Sequence, residues 1–172
     1  MLELFIEYLK SQTSEAFLKA RQAIIDSPNY DPYGMPLEPV EQLLEQERWT
    51  DAQEAIYAVM EELILSPRAH LCAGYIAEQL GDDKAAEMER MLAAACVDGI
   101  LGTGEGTQEK PYLVTRVDEE YDVMQYLGKQ MTQQSLTESG GVPMDRIQCS
   151  DGSDLWFDIS APLNKQKETY GE

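Results

Sequence analysis

His70, Cys72 and Cys96 come closest in this chain to the residue types of a metal site, and their spacing argues against one. Side chains two apart on a helix point about 200° away from each other, so one ion does not take both His70 and Cys72. Buried thiols are common, and Cys72 and Cys96 read as core fillers. The run Gly102-Thr103-Gly104-Glu105-Gly106-Thr107 has the glycine content of a phosphate-binding loop. Such loops point backbone N–H groups from a helix N-terminus that follows a buried strand. Here a helical pattern precedes the run, a strand pattern follows it, Glu105 sits inside it and the P-loop lysine is missing, so it reads as a linker. Asp151, Asp154 and Asp158 surround a turn without the alternating donors of a calcium loop. His70 is the only histidine, and no Gly-x-Ser-x-Gly elbow is present. The sequence thus offers no base–nucleophile set, and the expectation is a non-enzymatic protein with no catalytic residues, metal or cofactor.

What the chain has in quantity is carboxylate. Thirty-two acidic and thirteen basic side chains give 172 residues a net charge of −19. A nucleic-acid binder needs a basic footprint, and an anionic membrane surface repels such a chain, so neither is expected as a partner. Between Glu38 and Pro67 stand eight acids (Glu38, Glu41, Glu45, Glu47, Asp51, Glu54, Glu61 and Glu62) and one base, Arg48, a local net of −7. Such a face keeps a protein soluble, and it also steers a basic partner by long-range attraction. Trp49 and Tyr57 lie within it, and aromatic side chains dominate interface hot spots. Glu41, Glu45, Trp49, Glu54 and Tyr57 are therefore the candidate partner-binding surface. The expected function is a protein-interaction module binding a basic protein or peptide. The narrower alternative is an acidic inhibitor or immunity-type protein that blocks a basic toxin or nuclease. An enzyme using surface carboxylates is the disfavoured third reading, which a deep pocket with two strongly perturbed carboxylates would revive.

The elements that must position these residues follow from hydrophobic spacing. Leu2, Phe5, Ile6 and Leu9 form one helical stripe. A second helix starts near Thr13 or Ser14, carries Phe17, Ala20 and Ile24, and stops at Ser27-Pro28. Residues 29–36 are a loop, rich in turn formers. A third helix covers Val40, Leu43 and Leu44. A fourth presents Ala52, Ile56, Val59 and Leu63 and ends at Ser66-Pro67, a fifth runs to Gly81 and a sixth to Gly99. Ala52 and Ala86 are 34 apart, the roughly 34-residue period of tetratricopeptide repeats, and Gly74, Gly81, Ala86 and Ala93 occupy small-residue positions of that pattern.

The expected fold is α+β. Residues 1–100 form about six helices in antiparallel, tetratricopeptide-like hairpins, and residues 101–110 a glycine-rich linker. Residues 111–163 form a small antiparallel sheet with one helix, packed on the hairpins, and residues 164–172 a polar, frayed tail. Leu113, Thr115 and Val117 alternate as a strand. Asp118 caps a helix whose Glu119 and Glu120 favour its positive first turn. Leu155, Phe157 and Ile159 share one face of the clearest strand. Three cysteines in no disulfide spacing, no apolar run of membrane length and acids where a signal peptide carries bases make the cytoplasm the expected compartment.

The succession Gly-Thr-Gly, Pro111-Tyr112-Leu113-Val114-Thr115, Glu119-Glu120-Tyr121, Tyr126-Leu127-Gly128, Gln134-Ser135-Leu136 and Phe157-Asp158-Ile159 resembles a bacterial domain family of unknown function. That resemblance covers roughly residues 8–163. It implies a tetratricopeptide-like helical region before a small α+β module, and it implies no catalytic or binding residues.

Overall fold

A computed structural model describes residues 1–171. Six helices come first: α1 (Leu2–Ser11), α2 (Ser14–Ile25), α3 (Glu38–Glu45), α4 (Trp49–Val59), α5 (Pro67–Gln79) and α6 (Asp83–Leu101). Local chemistry sets several of their ends. The side chains of Thr13, Ser66 and Asp82 accept from the backbone N–H groups of Ala16, Ala69 and Ala85, satisfying donors that the first helical turn leaves free. Pro67 occupies the first turn of α5, where its missing N–H is not needed, and Gly81 ends that hairpin arm with φ of 80°. The fourth helix stops at Val59, short of the expected Ser66-Pro67. Residues 60–66 turn instead, because Leu63 goes to one core while Ile64 and Leu65 go to another.

After the helices come β1 (Tyr112–Leu113), α7 (Asp118–Tyr126), β2 (Met131–Ser139), β3 (Val142–Cys149), β4 (Asp154–Asp158) and α8 (Ser160–Tyr170). The sheet order is β1-β4-β3-β2. The expected antiparallel sheet with one helix needs correcting in three respects. The sheet is mixed, because β1 pairs parallel to β4 with Tyr112 opposite Phe157. The strand expected to reach Val117 ends at Leu113, because the N–H groups of Thr115 and Arg116 go to the Glu119 carboxylate rather than to a ladder. A second helix, α8, covers residues placed in the frayed tail; Ser160 N–H donates to Asp158 at its start, and Leu163 packs against the core.

Two cores organise the molecule. One gathers α1, α2, α6, α7 and the inner face of the sheet, with Phe17, Ile100, Ile147 and Phe157 almost fully buried. The other gathers α3, α4 and α5 around Val40, Ala52, Ile56 and Ile76. Ala52 and Ala86 are both fully buried. The three hairpins do not share one continuous core in chain order, as a repeat array does. The α5–α6 pair instead gives one helix to each core. Small residues permit these crossings: a Cβ on Gly74 would lie 3.3 Å from the Ala86 carbonyl oxygen. The Gly102–Thr107 run is a built connection, in which the Gly106 carbonyl accepts from Trp156 N–H at the sheet. Among the described residues no helix is long and apolar enough to cross a membrane.

A Cβ on Gly99 would stand 2.2 Å from the Phe17 ring, inside any real contact distance. Alanine favours helix over glycine by about 1 kcal/mol, but overpacking a tight core costs about 1–3 kcal/mol. Gly99→Ala is therefore expected to destabilise despite its better helix propensity, which urea unfolding monitored by circular dichroism will measure.

Candidate functional site

The five residues of the expected binding surface divide in their placement. Glu41 and Glu45 are exposed on α3, and Glu54 and Tyr57 are exposed on α4, opposite its buried Ala52 and Ile56. Tyr57 keeps 55% of its surface open. Trp49 is only half-buried exposure, not a free anchor: its ring stands edge-on to Tyr75 of α5, centroids 5.8 Å apart. Glu41 faces α5, where burial pushes the Cys72 thiol up and the Glu41 charge adds to the effect. All eight acids from Glu38 to Glu62 are exposed. Among the described residues the one ion pair formed within that stretch is Arg48 to Asp51, at 2.7 Å.

The sequence's candidate metal ligands go to different places. His70 is buried against Phe5, with Nδ1 2.7 Å from Glu89 and Nε2 donating to the Ile64 carbonyl at 2.9 Å. Cys96 donates to that same carbonyl, while Cys72 lies half-buried against the other core. Among the described residues no group of three or more His, Cys, Asp or Glu side chains is arranged to hold a metal ion.

The unexpected feature is acid inside the protein. Glu119 and Glu120, expected from sequence as acids that favour the positive first turn of a helix, are 2% and 0% exposed. Asp122 and Asp145 are buried with them. Each has a different solution to the cost of burying charge. Glu119 accepts from the N–H and hydroxyl of Thr115 and from Arg116 N–H. Burial still dominates those hydrogen bonds and raises its carboxyl to about 7. Asp122 accepts two hydrogen bonds from Arg68, at 3.2 and 3.1 Å.

Glu120 and Asp145 form a pair. The Gln134 side-chain amide donates to Glu120 at 3.1 Å and to Asp145 at 2.8 Å, and its oxygen accepts from Tyr121 at 2.8 Å. Burial, then the Asp145 charge, pushes the Glu120 carboxyl up to about 9, so at neutral pH it holds its proton. Oε1 of Glu120 meets no donor, and the proton that the raised carboxyl keeps satisfies that position. Tyr33 and Tyr121 close the pair in. Burial raises both hydroxyls, and the charges of Glu120 and Asp145 add to each.

A cavity of about 320 Å³ opens between the two cores, lined by Tyr30, Leu63, Ser66, Thr115, Arg116 and Glu119 among others. Its polar groups are occupied. Arg116 donates to the carbonyls of Asp31 and Gly34, and Tyr30 donates to the Thr115 carbonyl. Glu119 faces this space with both carboxyl oxygens accepting, and through those hydrogen bonds it braces the chain turn.

The chain has no significant match to any protein-family model, curated protein or solved structure. The acid cluster escaped sequence reading because acids in a first turn ordinarily face water. The available signal was Asp145: it sits two residues before Ile147 on an otherwise apolar strand face.

The pH dependence of stability follows from the raised Glu120 carboxyl. In the unfolded chain this group loses its proton in the ordinary carboxylate range, whereas the folded chain keeps it to about pH 9. The folded state binds more protons in between, so Glu120 stabilises most below that ordinary range and loses its contribution as pH rises toward 9. Glu120→Gln preserves shape and neutrality without this titration. Urea unfolding from pH 5 to 9 is expected to show wild type losing ground steadily to Glu120→Gln; a pH-independent difference contradicts the assignment.

Proposed function

We propose that this chain is a non-enzymatic interaction module whose acidic α3–α4 face docks a cationic protein or peptide. The observation that carries the reading is the exposure of all eight acids between Glu38 and Glu62 around a single cation, Arg48. Like charges crowded on one face raise a negative potential that attracts a basic partner from a distance. Tyr57 supplies an exposed aromatic contact within that field. An inhibitor of a basic protein is a narrower form of the same activity and uses the same surface. In the free protein the interior acids serve the fold: Glu119 accepts from three donors of Thr115 and Arg116, and Glu120 lies beneath the Gln134 amide.

Surface-immobilised protein, tested against a panel of lysine- and arginine-rich peptides, checks this reading. Association is expected to weaken steeply between about 0.05 and 0.5 M salt, as the Debye length falls from about 14 to about 4 Å. Reversing Glu41, Glu45 and Glu54 to Lys is expected to slow association more than it speeds dissociation, with folding stability nearly unchanged. Binding that survives both high salt and the triple reversal overturns the proposal.

A further inference from the structure

β2 ends the sheet. It pairs with β3 along one side, and among the described residues no main chain pairs with the other. The strand is nine residues long, Met131–Ser139, and contains no proline, no lysine and a single charge, Glu138. Proteins commonly protect such an edge with lysines, prolines or a covering segment, because its free N–H and C=O groups are a template for another strand. β2 has neither lysine nor proline; its guards are the single charge of Glu138 and an irregular register between Met131 and Gln133, beyond which Gln133–Ser139 runs unbroken along β3.

Beside that edge lies the Glu120–Asp145 pair. Gln134 belongs to β2 and its amide covers both carboxyls, which are 0% and 7% exposed, so a side chain arriving from the β2 side reaches them by displacing that amide. Leu136, directly across from Asp145, is 65% exposed, and Tyr33 and Tyr121 are 43% and 39% exposed. Two tyrosines and a leucine thus rim a buried position where two carboxyl groups share one amide donor. That is the chemistry of a seat for an organic cation: carboxylates to neutralise it and aromatic faces to contact its stem.

The geometry points to the outer edge of β2 as the docking site for an extended cationic segment of a protein partner, with one of its Lys or Arg side chains seated at the Glu120–Asp145 pair. Charge selects this occupant over a second copy of the chain. Two molecules each carrying −19 repel, whereas a basic strand is attracted to the whole protein as well as to the pair. A strand added to β2 would lie about 4.8 Å from it, and its side chains on the α7 side would point beside Gln134. Without the cation the pair keeps a proton; with it, Glu120 ionises and that proton passes to the buffer. The inference shares with the proposed function the expectation of a cationic partner, but it assigns a different surface.

The test uses the full chain and a synthetic ten-residue peptide of alternating lysine and threonine, with a version carrying N-methyl groups on alternate backbone amides. At pH 7, calorimetry in two buffers of different ionisation enthalpy is expected to show release of about one proton per bound peptide. Hydrogen exchange is expected to slow at β2 amides. N-methylation removes the strand's donors and is expected to weaken binding by about tenfold or more. Glu120→Gln, in protein verified as folded, is expected to abolish proton release and to weaken binding by a similar factor.

Equal binding of the methylated peptide, or unchanged exchange at β2, overturns the inference whatever the variant does. Proton release that persists in Glu120→Gln overturns the seat for the cation. The two surfaces also separate. Binding lost on reversing Glu41, Glu45 and Glu54, with β2 exchange unaltered, defeats the edge and leaves the α3–α4 reading standing. Protection of β2 that is indifferent to that reversal supports the edge and defeats the other.

Discussion

A carboxylate removed from water costs several kcal/mol unless donors replace its hydration, and Glu119 meets that requirement with the backbone of Thr115 and Arg116. Much of the molecule depends on this exchange. Because those two N–H groups point at Glu119, β1 cannot continue, and the chain turns into α7. The turn fixes Arg116, whose guanidinium holds the loop carbonyls of Asp31 and Gly34 at the seam between the two cores. Tyr30 and Arg21 reach into the same turn, donating to the carbonyls of Thr115 and Val114. One residue along, Glu120 meets Asp145 across the sheet, and Asp122 takes Arg68 from α5. The segment from Val114 to Asp122 is where helices, sheet and connecting loop are joined by polar contacts instead of by apolar packing alone.

That arrangement has an electrostatic consequence for the exterior. The chain has few cations, and several of them serve inside it. Arg68 and Arg116 hold acids and carbonyls at the seam, and Arg21 is directed at a backbone oxygen. Lys129 and Arg146 pair with Asp151 and Asp154 around the β3–β4 turn. Few remain to offset the acids of α3 and α4, so that face keeps its charge. The same economy of cations leaves the buried Glu120 carboxyl beside Asp145 with its proton affinity raised. Surface charge and interior proton thus have a common origin in a composition of thirty-two acids to thirteen bases.

Where local chemistry decided the structure, it could be read from the residues. Thr13 as a cap, Gly81 as a stop, and the alternation of Leu155, Phe157 and Ile159 all describe short-range constraints, and each has its counterpart in the fold. The exposed acids of α3 and α4 were legible for the same reason, since helical spacing places them opposite Val40, Ala52 and Ile56. Long-range pairing was not. Nothing within Tyr112–Leu113 specifies that it lies parallel to β4, and nothing local to Glu119 or Glu120 says that α7 turns its first acids inward against the sheet. The polar tail formed α8 because Asp158 supplies a starting contact and Leu163 an anchor.

Glu119 and Glu120 of α7 are structural acids, buried and held at a raised proton affinity. Carboxyl-detected NMR titration, with Glu119 and Glu120 assigned by substitution, measures that affinity. Midpoints of about 7 for Glu119 and about 9 for Glu120, in that order, are expected while the protein stays folded. Two carboxyls titrating together in the ordinary glutamate range, near 4.5, would contradict it.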